Sequence, residues 1–147
     1  MNLTLLGTSG AYPLKGDACS GYLIQSKHKN ILIDCGSGVF SYLQKIVNFN
    51  ELDAVFISHM HPDHFIDLIS MRYAMRYGDF KDRLNVYVPK SAINYLNQLS
   101  SSLSETKPFF ERAFNLEEYD EGEYHFDDIT IQPFLVEHSV LSHGMKV

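Results

Sequence analysis

Only two cysteines, Cys19 and Cys35, occur in this chain. A single pair cannot build the multi-bridge framework of small secreted folds, so both are expected to be buried thiols of a reducing compartment. No apolar run approaches the roughly 18 residues that a membrane span needs, and no basic stretch followed by an apolar one opens the sequence. Neither membrane insertion nor secretion is supported, and the cytoplasm is the expected location. Positive charge is scarce too: 12 Lys and Arg against 18 Asp and Glu give a net charge of −6. That balance suits a long phosphate backbone poorly but leaves small anionic substrates open. Repeats, low-complexity tracts and tryptophan are also missing. The 147 residues are 45% apolar and 13% aromatic, which suits one globular domain with its own core.

Strand-like and helix-like segments alternate along the chain. Residues 2–6, 21–25 and 30–34 read as strands, the last two joined by a turn at 27–30. Val39, Leu43, Ile46 and Val47 recur at helical spacing between Gly38 and a turn at 48–50, which predicts a helix with an apolar stripe. Residues 53–57 read as a buried strand. A helix is expected from Asp63 to Tyr77, ending near Gly78, with Ile66, Ile69 and Tyr73 on its packed face and the Met71, Met75 and Tyr73, Tyr77 pairs in core or rim packing. Residues 84–88 read as a strand, and Pro89 as the first residue of a helix that runs to about Leu99 and is broken by the serines at 100–104. The Lys107-Pro108-Phe109-Phe110 segment reads as a loop whose aromatics cap the core. Strands are expected at 114–119, 123–126, 129–136 and 144–147, with acidic turns at 120–122 and 127–128. His28 and His125 have no partner pattern and are assigned to surface or strand positions.

Chemistry is concentrated in His59-Met60-His61-Pro62-Asp63-His64, directly after the buried strand. Three imidazoles and a carboxylate within six residues form a metal-ligand set, held where a strand passes into a helix. His59 and His61 share one side of an extended segment and can grip one ion, while Asp63 and His64, at the turn into the helix, can reach a second. Two ions roughly 3.5–4 Å apart would lower the pKa of a shared water and stabilise both oxygens of an in-line displacement. A solvated histidine-rich loop is the plain alternative, and the spacing after a strand disfavours it. Asp67, three residues after His64, is expected either to orient the His64 ring or to favour the first helical turn by its charge. Cys35 beside Asp34 is expected to be a buried thiol, with a cysteine nucleophile as the sharper alternative.

This His-x-His-x-Asp-His pattern resembles the signature of the metallo-β-lactamase fold superfamily of hydrolases. Leu5-Leu6-Gly7-Thr8-Ser9-Gly10, with Pro13 soon after, is similar to the first strand and glycine turn of its ribonuclease Z and cyclic-phosphate phosphodiesterase branch. Asp34-Cys35-Gly36 resembles the family's Asp-x-Gly step. Val136-Glu137-His138-Ser139, followed by Gly144, is similar to the segment that delivers the next metal-binding histidine. The resemblance implies an α/β (α+β) fold, the αββα sandwich. It also implies that His59, His61 and His138 hold one metal and that Asp63 and His64 contribute to another. Zn2+ is the expected ion, one or two per chain, with Mn2+ or another divalent metal as alternatives.

In the family a bridging aspartate and a last histidine come later than position 147. Residues 1–147 are therefore expected to form a single, incomplete domain: the first half of the sandwich and the start of the second. Such a chain would hold at most one ion tightly, and it would be completed by a C-terminal half or by pairing as a homodimer. After His138 only His143 remains as a candidate ligand, and it is expected to be an exposed strand histidine instead. The function implied is hydrolysis of a phosphodiester by a metal-activated water, with Asp63 taking the water's proton and Asp34 orienting a ligand. A small cyclic or linear phosphodiester is the expected substrate, with an RNA 3′ end as the other. The alternatives are a metal-binding or inactive fragment that lacks the later ligands, or a carboxylic-ester, thioester or lactam hydrolase on the same scaffold.

Overall fold

Continuous apolar runs along short strands, such as 31–33 and 54–57, require a sheet buried on both faces. The computed structural model, which describes residues 1–78, 82–103 and 108–147, contains one. Among the described residues ten strands form: β1 (Asn2–Ser9), β2 (Ala18–Cys19), β3 (Gly21–Gln25), β4 (Asn30–Ile33), β5 (Ala54–Phe56), β6 (Leu84–Val88), β7 (Phe114–Glu118), β8 (Tyr124–Phe126), β9 (Ile129–Val136) and β10 (Ser142–Lys146). Seven make a mixed sheet in the order β2-β1-β3-β4-β5-β6-β7, and the other three a second sheet in the order β10-β9-β8. Antiparallel hairpins link β1, β3 and β4, whereas β4 through β7 run parallel. Parallel neighbours need crossovers, which the helices α1 (Val39–Leu43), α2 (Pro62–Phe65), α3 (Leu68–Tyr77) and α4 (Ala92–Leu103) supply.

The period of two sorts the side chains. Leu23, Leu32, Val55, Ile57 and Val86 face the helices and join Val39, Leu43, Leu68, Met71 and Leu96 in one core. Ile24, Ile31, Ile33, Ala54 and Phe56 face the second sheet and join Tyr119, Ile129 and Ile131 in the other. Phe56 anchors this second core: its ring stacks on Tyr87 at 4.5 Å and meets Tyr124 and Phe126 edge to face. Helix, sheet and sheet therefore form three successive layers. The second sheet stops short of β1, where Leu3 and Leu5, opposite Ile24 and Tyr22 on the same face, stay 63% and 59% exposed.

Several elements depart from the sequence reading. The helix expected at 63–77 is broken, because the N–H of Asp67 donates to the carbonyl of Cys35 at 3.0 Å rather than to its own preceding turn. Beyond the break the buried face is Leu68, Met71, Arg72 and Met75, while Tyr73 stacks on Tyr77 at the exposed rim. The first helix is short, and tight turns after Leu43 bury Val47 but leave Ile46 48% exposed, outside the expected stripe. Pro89 does not open a helix: Ser91 adopts a positive φ of 68° and α4 starts at Ala92. That helix also continues through the serines to Leu103, since the hydroxyls of Ser100, Ser101 and Ser102 each bond a carbonyl three residues back. Phe109 and Phe110 are buried in the helix-side core; Ser104 and Lys107 lie outside the described residues. Both cysteines are free and buried, and burial pushes the Cys35 thiol well up, which suits a packing group rather than a nucleophile.

Phe56→Ala is expected to cost about 3–5 kcal/mol in urea unfolding, because it opens a cavity where the two sheets meet. Ile46→Ala should stay within about 0.5 kcal/mol. A cost at Ile46 comparable to that at Phe56 would contradict the packing described.

Candidate metal centre

The C-terminal ends of parallel strands are where α/β sheets place their sites, and here the neighbouring parallel strands β4 and β5 end beside one another. Past β5 the chain stays extended through His61, whose φ and ψ are −78° and 140°. Pro62 then starts α2, its missing N–H costing nothing at the first helical position. The extended stretch sends His59 and His61 to one side. Nε2 of His59 lies 3.1 Å from Nδ1 of His61, and Nε2 of His138, in the loop between β9 and β10, lies 3.3 Å from the same Nδ1. The three nitrogens fall within 4.8 Å of one another. Their rings meet nearly at right angles, with interplanar angles of 79°, 88° and 83°. Three nitrogens on a tetrahedral ion at about 2.0–2.1 Å stand roughly 3.3–3.4 Å apart; the two separations at His61 are close to that spacing, and the donor set suits a zinc-like ion. Asp63 and His64 lie beside the triad as a separate pair, with Nε2 of His64 3.6 Å from Oδ2 of Asp63.

Asp34 organises the nitrogens from below. Buried and at a positive φ of 59°, it accepts from the N–H of Ser58 at 2.8 Å and from the hydroxyls of Ser58 at 2.9 Å and Ser20 at 3.1 Å. Nδ1 of His64 donates to it at 2.6 Å. Because the single Ser58 proton goes to Asp34, the 3.0 Å contact between that hydroxyl and Nδ1 of His59 requires a proton on Nδ1. Both His59 and His64 therefore carry Nδ1–H and present a bare Nε2 when neutral. One carboxylate sets the tautomer of a histidine in the triad and of one in the neighbouring pair. Gly36 allows the close fit: a Cβ there would lie within 1.8 Å of the Asp63 carbonyl oxygen. Cys35 N–H, in turn, donates to the His64 carbonyl at 2.7 Å.

Two expectations are corrected here. Asp67 does not touch His64; its carboxylate accepts the N–H of Phe40 at 3.0 Å and so caps α1. Burial raises its pKa. His143 is a strand residue but not an exposed one: it is 7% accessible and lies against Tyr119. It stays outside the triad. Ser58, Ser20 and Tyr119 were not singled out by the sequence reading. Ser58 could have been, as the hydroxyl next to His59, whereas Tyr119 is distant in sequence and carries no local signal. A cavity of about 530 Å3 between the sheets reaches Asp34, Ser58, His64 and His143 from the Leu3 side.

Burial, with the charge of His64 next, pushes His59 down to about 4. Burial also pulls on His64, but the hydrogen bond and charge of Asp34 outweigh it and its pKa is raised. In the metal-free chain the two act oppositely. Unfolded His59 binds a proton near 6.5, so its contribution is lost as pH falls from 6.5 towards 4; the His64 contribution, complete below 6.5, is lost as pH rises through its raised value. Thermal stability in EDTA should peak near pH 6.5, and a monotonic profile from pH 4 to 8 would contradict this. Asp34→Asn should lower stability by about 1–3 kcal/mol in urea melts. It should also weaken Zn2+ affinity about 10–100-fold in a chelator competition, and an unchanged affinity would remove Asp34 from its orienting role.

A family model described as "Anti-Pycsar protein Apyc1" matches residues 1–146. Among curated proteins, the probable metallo-hydrolase YhfI of Bacillus subtilis is 42% identical over 80 residues, 54% of this chain and 33% of that protein. A Ribonuclease Z of Agathobacter rectalis is 30% identical over 148 residues, 100% of this chain and 48% of its own length. The chain thus spans about half the length of the Ribonuclease Z that it matches. The solved structure of the metallo-β-lactamase fold protein YhfI from Bacillus subtilis superposes with a TM-score of 0.82 at 30% identity, covering 97% of this chain and 56% of that one. Human tRNase Z, short form, superposes at 0.74 with 22% identity, covering 99% and 64%, a likeness of fold alone. The three-layer arrangement, the resemblance carried by the histidine motif and the match over residues 1–146 agree: this chain has the metallo-β-lactamase fold and belongs to the family of the anti-Pycsar protein Apyc1.

Proposed function

We propose that this chain carries the metal-holding part of a phosphodiester hydrolase. The observation behind the proposal is the clustering of Nε2 of His59, Nδ1 of His61 and Nε2 of His138 within 4.8 Å of one another. These three imidazoles would hold a divalent ion, Zn2+ by the nature of the donors, and Asp63 with His64 would contribute to a second. Such an ion, when bound, lowers the pKa of water and polarises a phosphoryl oxygen. In this reading Asp63, beside the triad, takes the proton of the attacking water, and Asp34 keeps the Nε2 atoms of His59 and His64 bare. A small cyclic or linear phosphodiester suits the net charge of −6 better than a long RNA; the ribonuclease named among the relatives keeps an RNA 3′ end as the competing substrate. Among the described residues no helix is long and apolar enough to cross a membrane.

One observation favours a second reading, metal binding without turnover: the metal-ligand group found among the described residues contains only the three histidines, without Asp63 or His64. Elemental analysis after dialysis should find one equivalent of Zn2+ per chain and almost none in His138→Ala; two equivalents retained by that variant would sink the ligand assignment. With Zn2+ or Mn2+ present, hydrolysis of bis-p-nitrophenyl phosphate above the rate with metal alone, lost in Asp63→Asn, supports the hydrolase. Equal rates for both chains and for metal alone support the second reading. The uncovered Leu3 and Leu5 face is proposed to be closed by a second copy or by the remainder of a sandwich.

A further inference from the structure

The three nitrogens of the triad belong to two different sheets. His59 and His61 lie on the segment that leaves β5, and His138 on the loop between β9 and β10, so the triad closes only when the sheets keep one register. Apolar contact between the sheets favours their association without fixing register, because it has no preferred direction. Hydrogen bonds do have one, and a polar clasp crosses the gap close to the triad.

Tyr119, the residue after β7, is 1% exposed. Its hydroxyl lies 2.9 Å from the carbonyl oxygen of Ile57 and 3.2 Å from that of Ser58, the two residues before His59. The same hydroxyl lies 3.2 Å from Nδ1 of His143 on β10, and the backbone N–H of His143 donates to the Ser58 carbonyl at 3.1 Å. A phenol has one proton. With it directed to the carbonyls, the oxygen accepts, and His143 meets it as Nδ1–H. The clasp thus joins three places: the end of β5, the end of β7 and the start of β10.

We propose that Tyr119 and His143 are positioning residues for the metal triad, tying the backbone just before His59 to the strand that begins four residues after His138. Neither is a ligand. Asp34 and Ser58 decide which nitrogen of His59 is bare; the clasp decides where that nitrogen stands relative to His138. The inference rests on the reading of the triad as a metal site. A buried Tyr–His pair that merely held the sheets together would lower stability and leave the intrinsic metal affinity alone.

The test is Co2+ affinity, read from visible absorption, together with thermal melting of the metal-free form. It uses the 147-residue chain and the variants Tyr119→Phe, His143→Asn and His143→Leu. Phenylalanine keeps the buried ring without the hydroxyl, and asparagine keeps an N–H donor near the place of Nδ1, which leucine removes. Tyr119→Phe and His143→Leu are expected to weaken Co2+ binding at least about tenfold, the lower end for groups that orient ligands. His143→Asn should stay close to the parent. Equal affinities in all four chains, whatever their melting temperatures, would overturn the clasp alone, as would asparagine binding as weakly as leucine. A parent chain that binds no Co2+ would overturn the metal reading and the clasp with it.

Discussion

Burying a carboxylate is costly unless its lone pairs are used, and Asp34 uses them on donors from three parts of the chain: Ser20, Ser58 twice, and His64. It does so from a left-handed backbone conformation that costs roughly 1–3 kcal/mol, a strain the surrounding bonds must overcome. Shifting the backbone would detach Ser58 and leave an anion buried with too few donors. Because Ser58 and His64 flank the ligand segment, the requirement to satisfy Asp34 also fixes the orientation of the histidine rings. Gly36 completes this arrangement by letting the Asp63 carbonyl approach where no side chain fits.

The break between α2 and α3 comes from the residue after Asp34, Cys35. A continuous helix would have kept the N–H of Asp67 within its own turn; it goes instead to Cys35, and the Asp67 carboxylate is free to cap α1. The loop after β4 and the helical segment after the histidine motif are thus interlocked by backbone hydrogen bonds in both directions, including Cys35 N–H to His64. Such a join resists local opening better than side-chain packing alone, since every backbone donor that leaves must find another partner inside the protein.

Local patterns were legible in the sequence and distant ones were not. The strands 21–25, 84–88 and 129–136 appear at the expected bounds, because a short apolar run bounded by turn residues says nearly everything about a strand. The histidine motif was legible for the same reason: all four of its members lie within six residues, and period two puts His59 and His61 on one side. His138 was reached only through the resemblance, since nothing local distinguishes it from His143 or His125. The burial of His143 could not be read because it depends on Tyr119, and the helix break could not because it depends on Cys35. Serines 100–102 were misread through a local rule, as hydroxyls that end helices in one setting bond back into the helix in another. Propensity was outweighed wherever a tertiary contact supplied a better hydrogen bond.

Because the triad draws on both sheets, metal binding and sheet packing are linked. Phe56, Ile31 and Ile131 hold the second sheet against the first, and that contact brings the His138 loop over His59 and His61. An ion bound by all three would in turn stabilise the packed arrangement over any state in which the sheets part, by an amount set by its affinity and free concentration. The coupling is reciprocal: whatever strengthens the aromatic contact between the sheets raises the population able to bind metal, and whatever binds metal holds that contact closed. The uncovered edge at Leu3 and Leu5 borders the cavity that leads to Asp34 and His64. Covering that edge would remove apolar surface from water and at the same time exclude solvent from the buried carboxylate, strengthening the hydrogen bonds that orient the histidines.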